Sequence, residues 1–387
     1  MAFVKLGDLC YESPGLFTGT PEEVIDYVDI SSVDNSAKCV TGYESIRFAE
    51  APSRARRHAE KGNILVSTVR PNLNAVAMCD FDVPHELVVS TGFCVFSCKA
   101  GVNQDFVFFF CQSRQFIESL VKQATGANYP AVNDSIIRGV MLPAYSYAEQ
   151  TAIASRLKTL RRIIALRQCQ LRTLDTLVKS QFVEMFGDPI SNPLRWQKEA
   201  LDDVCLSIVD CPHSTPKYTM ENTGYMCIRT SIVKKNHINW DDIEYISEAE
   251  YRQRIQRKKP VKGDIVYTRE GAILGIAAVI DRDCNVALGQ RSMLLSPNRE
   301  KILPHFLSAA MNLDSFLENA LRDLSGTASP HINVGDIKAF RMIVPPVEKQ
   351  ETFERIVEQS DKSKVLVQAA LDKAQTLFDS LMQQYFG

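Results

Sequence analysis

The stretch TASPHINVGDIKAFRMIVPP (Thr327–Pro346) restates, 200 residues on, the earlier stretch GANYPAVNDSIIRGVMLPA (Gly126–Ala144). At that offset Gly126, Pro130, Asn133, Ile137 and Gln150 recur as Gly326, Pro330, Asn333, Ile337 and Gln350. The register then holds without a gap: Leu166, Gln168, Leu171, Thr176, Leu177, Ser180, Phe186 and Gly187 recur as Leu366, Gln368, Leu371, Thr376, Leu377, Ser380, Phe386 and Gly387. A period this long is not that of a solenoid, so the economical reading is one domain plus one further element, present twice.

That further element is a helix. From about Ala148 to Phe186 the apolar residues Ile153, Leu157, Leu160, Ile164, Leu171, Leu174 and Val178 fall three or four apart, near a heptad in period. Gly187, Asp188 and Pro189 then stop it. The second copy, from about Val347 to Phe386, carries Phe353, Val357, Val367, Leu371, Ala374, Phe378 and Leu381 on the matching stripe. Such a helix would be roughly 55 Å long, too long to be covered by one small domain. Its natural partner is its own duplicate, paired antiparallel as a coiled coil. Charge agrees: Arg156, Lys158, Arg161, Arg162, Arg167 and Arg172 stand without an acid between Gln150 and Leu174, whereas Glu348 to Asp379 holds seven acids and five bases. Surface pairs contribute little apiece.

Ahead of each helix lies a region rich in short β-like runs (GNILVSTV, HELVVSTGFCVFSC, GDIVYT, AAVIDRD) punctuated by Gly, Pro and Asn. Weaker echoes tie these regions together: LGDLC at Leu6 with LDDVC at Leu201, and KGNILVS at Lys61 with KGDIVYT at Lys262. The expected fold class is α+β: two mixed α/β-rich domains, at 1–147 and 188–346, separated by two long antiparallel coiled-coil helices, at 148–187 and 347–387, in a pseudo-two-fold internal repeat. The first copy reads MLPAYSYAEQ where the second reads IVPPVEKQ, so a longer, Tyr-containing passage is expected to replace the Pro-Pro turn.

At 387 residues, 45% apolar and 23% charged, the chain has ordinary globular composition. There is neither a basic start followed by an apolar segment nor a charge-free apolar run of about 18 residues, and a soluble cytoplasmic protein is expected. Eleven cysteines, an odd number with no CxxC pair, point to reduced, buried thiols rather than metal or disulfides. No phosphate-cradling GxxxxGK[ST], GxGxxG, GxSxG or paired-histidine motif is present, and Asn192-Pro193 lacks the second proline and aromatic of a base methyltransferase motif. Catalysis by this chain is not expected, nor is a metal.

A net charge of −2 argues against a uniformly basic nucleic-acid binder, but the cations are clustered. SRARRHAEKG carries Arg54, Arg56, Arg57 and Lys61; YRQRIQRKKPVKG carries Arg252, Arg254, Arg257, Lys258, Lys259 and Lys262. An isolated cluster of this kind reads as a solvated face, yet these two recur at equivalent places, and clustered cations are what phosphate contacts need. Just beyond them, TVRPNLN and TREGAILG offer Arg70, Asn72, Asn74 and Arg269 as candidate base readers, because Arg pairs bidentately with guanine and Asn with adenine. The other reading stands equally open: the glycines only turn a hairpin, and Arg269 only pairs with Glu270. HSTPKY (His213, Ser214, Thr215, Lys217) and GQRS (Gln290, Arg291) add small polar and basic groups.

These stretches resemble the specificity subunits of type I restriction-modification enzymes. SRARRHAEKGNILVSTVRPNL with VVSTGFCVF resembles one common type of target-recognition domain. DCPHSTPKY, GDIVYTREGAILGIAAV, ALGQRSMLLSP and GTASPHINVGDIKAF resemble another, and both long helices resemble the family's spacers. The resemblance implies a non-catalytic DNA-recognition subunit of a phage-defence system, each domain reading one half of a bipartite, asymmetric site in double-stranded DNA. It also implies that the helices set the spacing and dock two modification (methyltransferase) subunits, a surface expected at Leu157, Leu160, Ile164, Leu171, Val367, Leu371 and Phe378. Restriction/translocase subunits would join the full complex, and the partners would bring S-adenosylmethionine, ATP and Mg2+. A specificity module of another phage-defence methylation system, and a non-catalytic coiled-coil scaffold, are the alternatives.

Overall fold

The computed structural model describes residues 2–11, 15–126, 128–322 and 331–387. Gly326 and the Thr327–Pro330 start of the repeated stretch lie outside them. The chain divides into two compact units, one of residues 1–168 with 369–387 and one of residues 169–368. Both mix helix and strand.

In the first unit, Val24–Val28 sits between Glu44–Arg47 and Glu86–Ser90, with Ala55–His58 beyond, and the Val24–Val28/Glu86–Ser90 pair is parallel. A second sheet orders Phe93–Phe96, Ile64–Ser67 and Val76–Met78, all antiparallel. Phe3–Lys5 pairs with Met141–Pro143, which ties the start of the domain to its exit. Ile64 to Ser67 and Phe93 to Phe96 are buried at every position, which is why they read as continuous apolar runs and not as alternating ones.

The second unit largely repeats this order. Met226–Ile228 lies between Glu244–Tyr245 and, in parallel, Val286–Leu288. Ile265–Thr268 lies between Ala277–Val279 and Ser292–Pro297, and Lys198–Ala200 pairs with Arg341–Ile343. Helices Gln104–Phe110, Arg114–Gln123 and Asp134–Gly139 of the first unit correspond to Pro304–Met311, Asp314–Leu321 and Val334–Ala339 of the second. The offset of 200 seen at the domain exits thus runs through most of the elements. One difference bears on the loops: Cys205–Asp210 adds a full edge strand to the second unit's sheet, where the first has the Cys10–Cys98 bridge.

The long helices span Tyr147–Phe186 and Val347–Phe386. In the first unit the start of one packs with the end of the other: Phe386 meets Phe106 and Phe110, Phe378 meets Phe109, and Arg156 donates to the Tyr385 hydroxyl at 2.9 Å. In the second unit Phe182 and Phe186 stack with Phe306 and Phe353, and Lys364 bridges to Asp175 at 2.8 Å. Within each unit the two segments therefore run in opposite directions. The passages entering the long helices are equal in length, three residues between Pro143 and Tyr147 and three between Ile343 and Val347. The expectation of a longer first turn is corrected, because Ser146 caps its helix from the position that Pro346 occupies in the other copy.

The described cysteines carry free thiols, Cys94 and Cys111 fully buried, and burial raises both pKa values. No described helix is long and apolar enough to cross a membrane.

Candidate nucleic-acid interface

In the second unit the cationic loops converge on Asp210, the last residue of the added edge strand. Arg269, at the end of the buried strand Ile265–Thr268, grips both Asp210 carboxylate oxygens at 2.9 and 3.2 Å. His213 approaches the same carboxylate at 3.2 Å, and Arg257 donates to the Asp210 carbonyl at 3.3 Å. Arg254 reaches the Ser214 carbonyl at 2.6 Å and Thr215 donates to the Gln290 side chain at 2.8 Å. Four loops, from His213 to Lys217, Arg254 to Lys259, Arg269 to Gly271 and Gln290 to Arg291, are thereby held on one edge of the unit.

The same geometry sorts the candidates. Arg254 and Arg269 are 6% and 7% exposed, and Arg254 also pairs with Glu250 at 2.8 Å and reaches the Leu288 carbonyl. As candidate DNA contacts both are corrected to scaffolding: a buried guanidinium needs its internal acceptors, and removing it strands them. The Arg269 partner is Asp210 and not Glu270, which instead faces Arg291 at 3.9 Å. His213, Ser214, Thr215, Lys217, Arg257, Lys259 and Arg291 remain exposed, while Lys258 and Gln290 are partly covered. Lys258 also donates to Ser207 at 3.0 Å.

In the first unit the candidates are more dispersed. Arg54 pairs with Asp29 at 2.7 Å, and its carbonyl accepts from Thr91 in the turn before Phe93–Phe96. Thr68 donates to Gly92 in that turn, so Arg70, two residues on, belongs to the same end of the sheet. Arg70 lies over the Tyr129 ring at 4.3 Å. Arg57 binds Asp134 at 2.5 Å, Arg56 covers the Phe48 ring at 4.7 Å, and Lys61 pairs with Asp82 near the opposite end of the strand Ile64–Ser67. Asn72 is exposed, but Asn74 is buried, donates to the Cys111 carbonyl at 2.9 Å and accepts from Lys38. Asn74 is corrected from base reader to a buried bracket of its turn.

Among the candidate loop residues, left-handed backbone marks one exposed arginine in each unit. Arg70 (φ 48°) opens the turn Pro71–Leu73, and Arg291 (φ 73°) precedes Ser292–Pro297. The left-handed region costs a side-chain-bearing residue on the order of 1–3 kcal/mol, an expense that persists where the surrounding structure demands it. The acidic brackets Asp29, Asp134 and Asp210 were not legible from sequence, since only folding puts them beside their cations.

The docking candidates point inward. Leu157 and Val367 are buried, and Leu160, Ile164, Leu171, Leu371 and Phe378 are partly so, Phe378 against Phe109. Their stripe is corrected to internal packing. The helices instead expose other apolar residues at repeated positions: Leu166 (58%) and Leu377 (49%) in the first unit, Leu177 (45%) and Leu366 (73%) in the second. Sequence showed these four as repeat identities without showing that they face water.

Residues 193–373 match the family profile described as "Type I restriction modification DNA specificity domain". The chain is 22% identical over 307 residues to the type I restriction enzyme EcoKI specificity subunit of Escherichia coli K12, covering 73% of this chain and 64% of that protein. It is 21% identical over 317 residues to the MjaIX specificity subunit of Methanocaldococcus jannaschii, covering 77% and 70%. This chain therefore spans somewhat less than two thirds of the EcoKI subunit. In fold it resembles a chain solved in work on the assembly and conformational transition of the type I R-M system (TM-score 0.59, 22% identity, covering 100% and 97%). It also resembles the type I restriction-modification S subunit of M. genitalium (TM-score 0.58, 15% identity, covering 100% and 96%). Residues 193–373 thus match a type I restriction modification DNA specificity domain, and the chain as a whole is similar in sequence to type I specificity subunits and in fold to their solved relatives.

Proposed function

We propose that this chain is the DNA-specificity subunit of a type I restriction-modification complex. Each unit reads one half of a bipartite, asymmetric duplex site through the loop edge described above, and the long helices, paired as an antiparallel coiled coil, set the distance between the halves. The observation that carries this reading is a repeated frame bearing different exposed loops: Arg70 in one unit and Arg291 in the other, both in left-handed backbone beside a strand end. A conserved scaffold with two different edges suits an asymmetric site. Two readers on one face of DNA would sit about one turn, roughly 34 Å, apart.

The chain is non-catalytic in this reading. Methylation needs a base flipped into a pocket, which the modification subunits would supply together with S-adenosylmethionine, while ATP and Mg2+ would serve the restriction/translocase subunits. Two modification subunits would dock on the repeated exposed leucines, Leu166 with Leu377 and Leu177 with Leu366, since equivalent apolar positions suit two copies of one partner. Base-modification maps of host DNA with and without this gene test the proposal. Loss of one split motif on deletion is expected; identical maps would sink it.

A further inference from the structure

A cavity of about 840 Å³ in the first unit is lined by the hairpin Ser36–Lys38, the start of the helix Arg114–Gln123, Arg161 with Ile164, and Phe378 with Met382. Its counterpart in the second unit, about 360 Å³, lies at the same places after the shift of 200. There Arg161 becomes Asp361, Ile164 becomes Lys364, Gln375 becomes Asp175 and Asp379 becomes Lys179. The two cavities therefore share a frame and differ in chemistry.

In the second unit the ions close on one another. Lys364 bridges Asp175 and Asp361 at 2.8 and 3.2 Å, and Lys179 and Lys235 both bind Asp314 at 2.7 and 2.9 Å. In the first unit neither Lys38 nor Arg161 forms an ion pair with a described residue, although Asp34 and Asp105 act on them from further off and Glu118 and Asp379 also line the cavity. Lys38 donates only to neutral oxygens of Asn74, at 2.6 and 2.7 Å, from a left-handed backbone (φ 58°). Arg161 binds the Gln112 amide and lies over the Phe109 ring at 4.5 Å and the Phe378 ring at 5.7 Å. The neighbouring Asp105 is taken by Lys158. Burial, with Arg161 nearby, pulls Lys38 down to about 8. Gln115 adds a buried Oε1 that accepts no hydrogen bond from a described residue.

A partly covered charge held only by neutral groups is costly unless something neutralises it, and an anion between Lys38 and Arg161 would do so. The space far exceeds what a bare inorganic anion fills and is of the size of small-molecule sites. Ile164, Phe378 and Met382 supply an apolar wall, and Gln115 supplies an amide oxygen. We infer that this cavity binds a small organic anion with a flat, hydrogen-bonding body, of the mononucleotide class, its charged group between Lys38 and Arg161. The inference is independent of the DNA-reading proposal.

Titration calorimetry on the purified chain at low salt, with AMP, adenosine and inorganic phosphate as probes, tests it. AMP should bind at one site about tenfold or more tighter than either fragment, and K38M and R161Q should each weaken it by about tenfold, while R161K weakens it less and K364M leaves it unchanged. Circular dichroism confirms that each variant folds. Absence of saturable AMP binding, or equal affinity in K38M and R161Q, would overturn the inference. Loss of duplex affinity in those variants without AMP binding would also overturn it, in favour of a DNA backbone phosphate.

Discussion

Gln150 and Gln350 explain why a glutamine recurs in the repeat. The Oε1 of Gln150 accepts from the Asn103 amide at 2.9 Å while its Nε2 donates to the Tyr145 carbonyl at 2.9 Å. Gln350 does the same for the Leu303 amide at 2.8 Å and the Pro345 carbonyl at 2.7 Å, fully buried. Each glutamine clips the entry of a long helix to the first of the three short helices before the domain exit. Q350M would leave a buried donor and a buried acceptor unpaired, a loss of about 2–4 kcal/mol. Chemical denaturation should show it as a lower midpoint with an unchanged slope. Phe186 and Phe386 recur for a similar reason, each fully buried in its unit's aromatic core. F386A should cost about 3–5 kcal/mol through lost contact with Phe106 and Phe110, read as a fall in melting temperature.

At the scale of elements, the heptad-like stripe located the helices to within a residue or so of their starts, because an apolar face of that length has few alternatives. It misassigned what the stripe does. A hydrophobic face on a long helix is buried by whatever lies beside it, and here each unit supplies its own Phe-rich core, which leaves the exposed Leu166, Leu177, Leu366 and Leu377 as the proposed docking positions. If those leucines dock two like subunits, L166E with L377E should remove one modification subunit and L177E with L366E the other. Native mass spectrometry of the copurified complex would read one subunit lost in each double variant; retention of both in each would refute the docking surface. Inserting one heptad into both helices should change the length of the nonspecific spacer in the methylated motif and leave the half-sites alone, and methylation mapping with altered half-sites would reject the spacer role.

For the whole molecule, under the proposed function, the duplicated frame separates the parts that would position from the parts that would read. Replacing an exposed loop cation should affect only the half-site its unit contacts. R291A should relax base preference in one half of the motif, a discrimination worth about 1–3 kcal/mol for a bidentate pair, whereas K217A should weaken binding uniformly and lower the salt dependence by about one ion. Competition binding of the assembled complex to half-site variants, at two salt concentrations, distinguishes these outcomes. A uniform loss from R291A would reduce it to a phosphate contact.

By itself the sequence determined that the chain is a duplication, where both long helices run, and which loops carry the cations, because periodicity and identity at a fixed offset are local properties of the string. The stretch from Thr327 was enough to find that frame. Only the tertiary structure decided which cations are available. Arg254, Arg269 and Asn74 look like Arg291 and Asn72 in a sequence, yet folding buries the first three against Glu250, Asp210 and Lys38 and leaves the other two exposed. Charge is written in the residue, but its partner, and hence its freedom to meet DNA, is set by which distant segment the fold brings within about 3 Å.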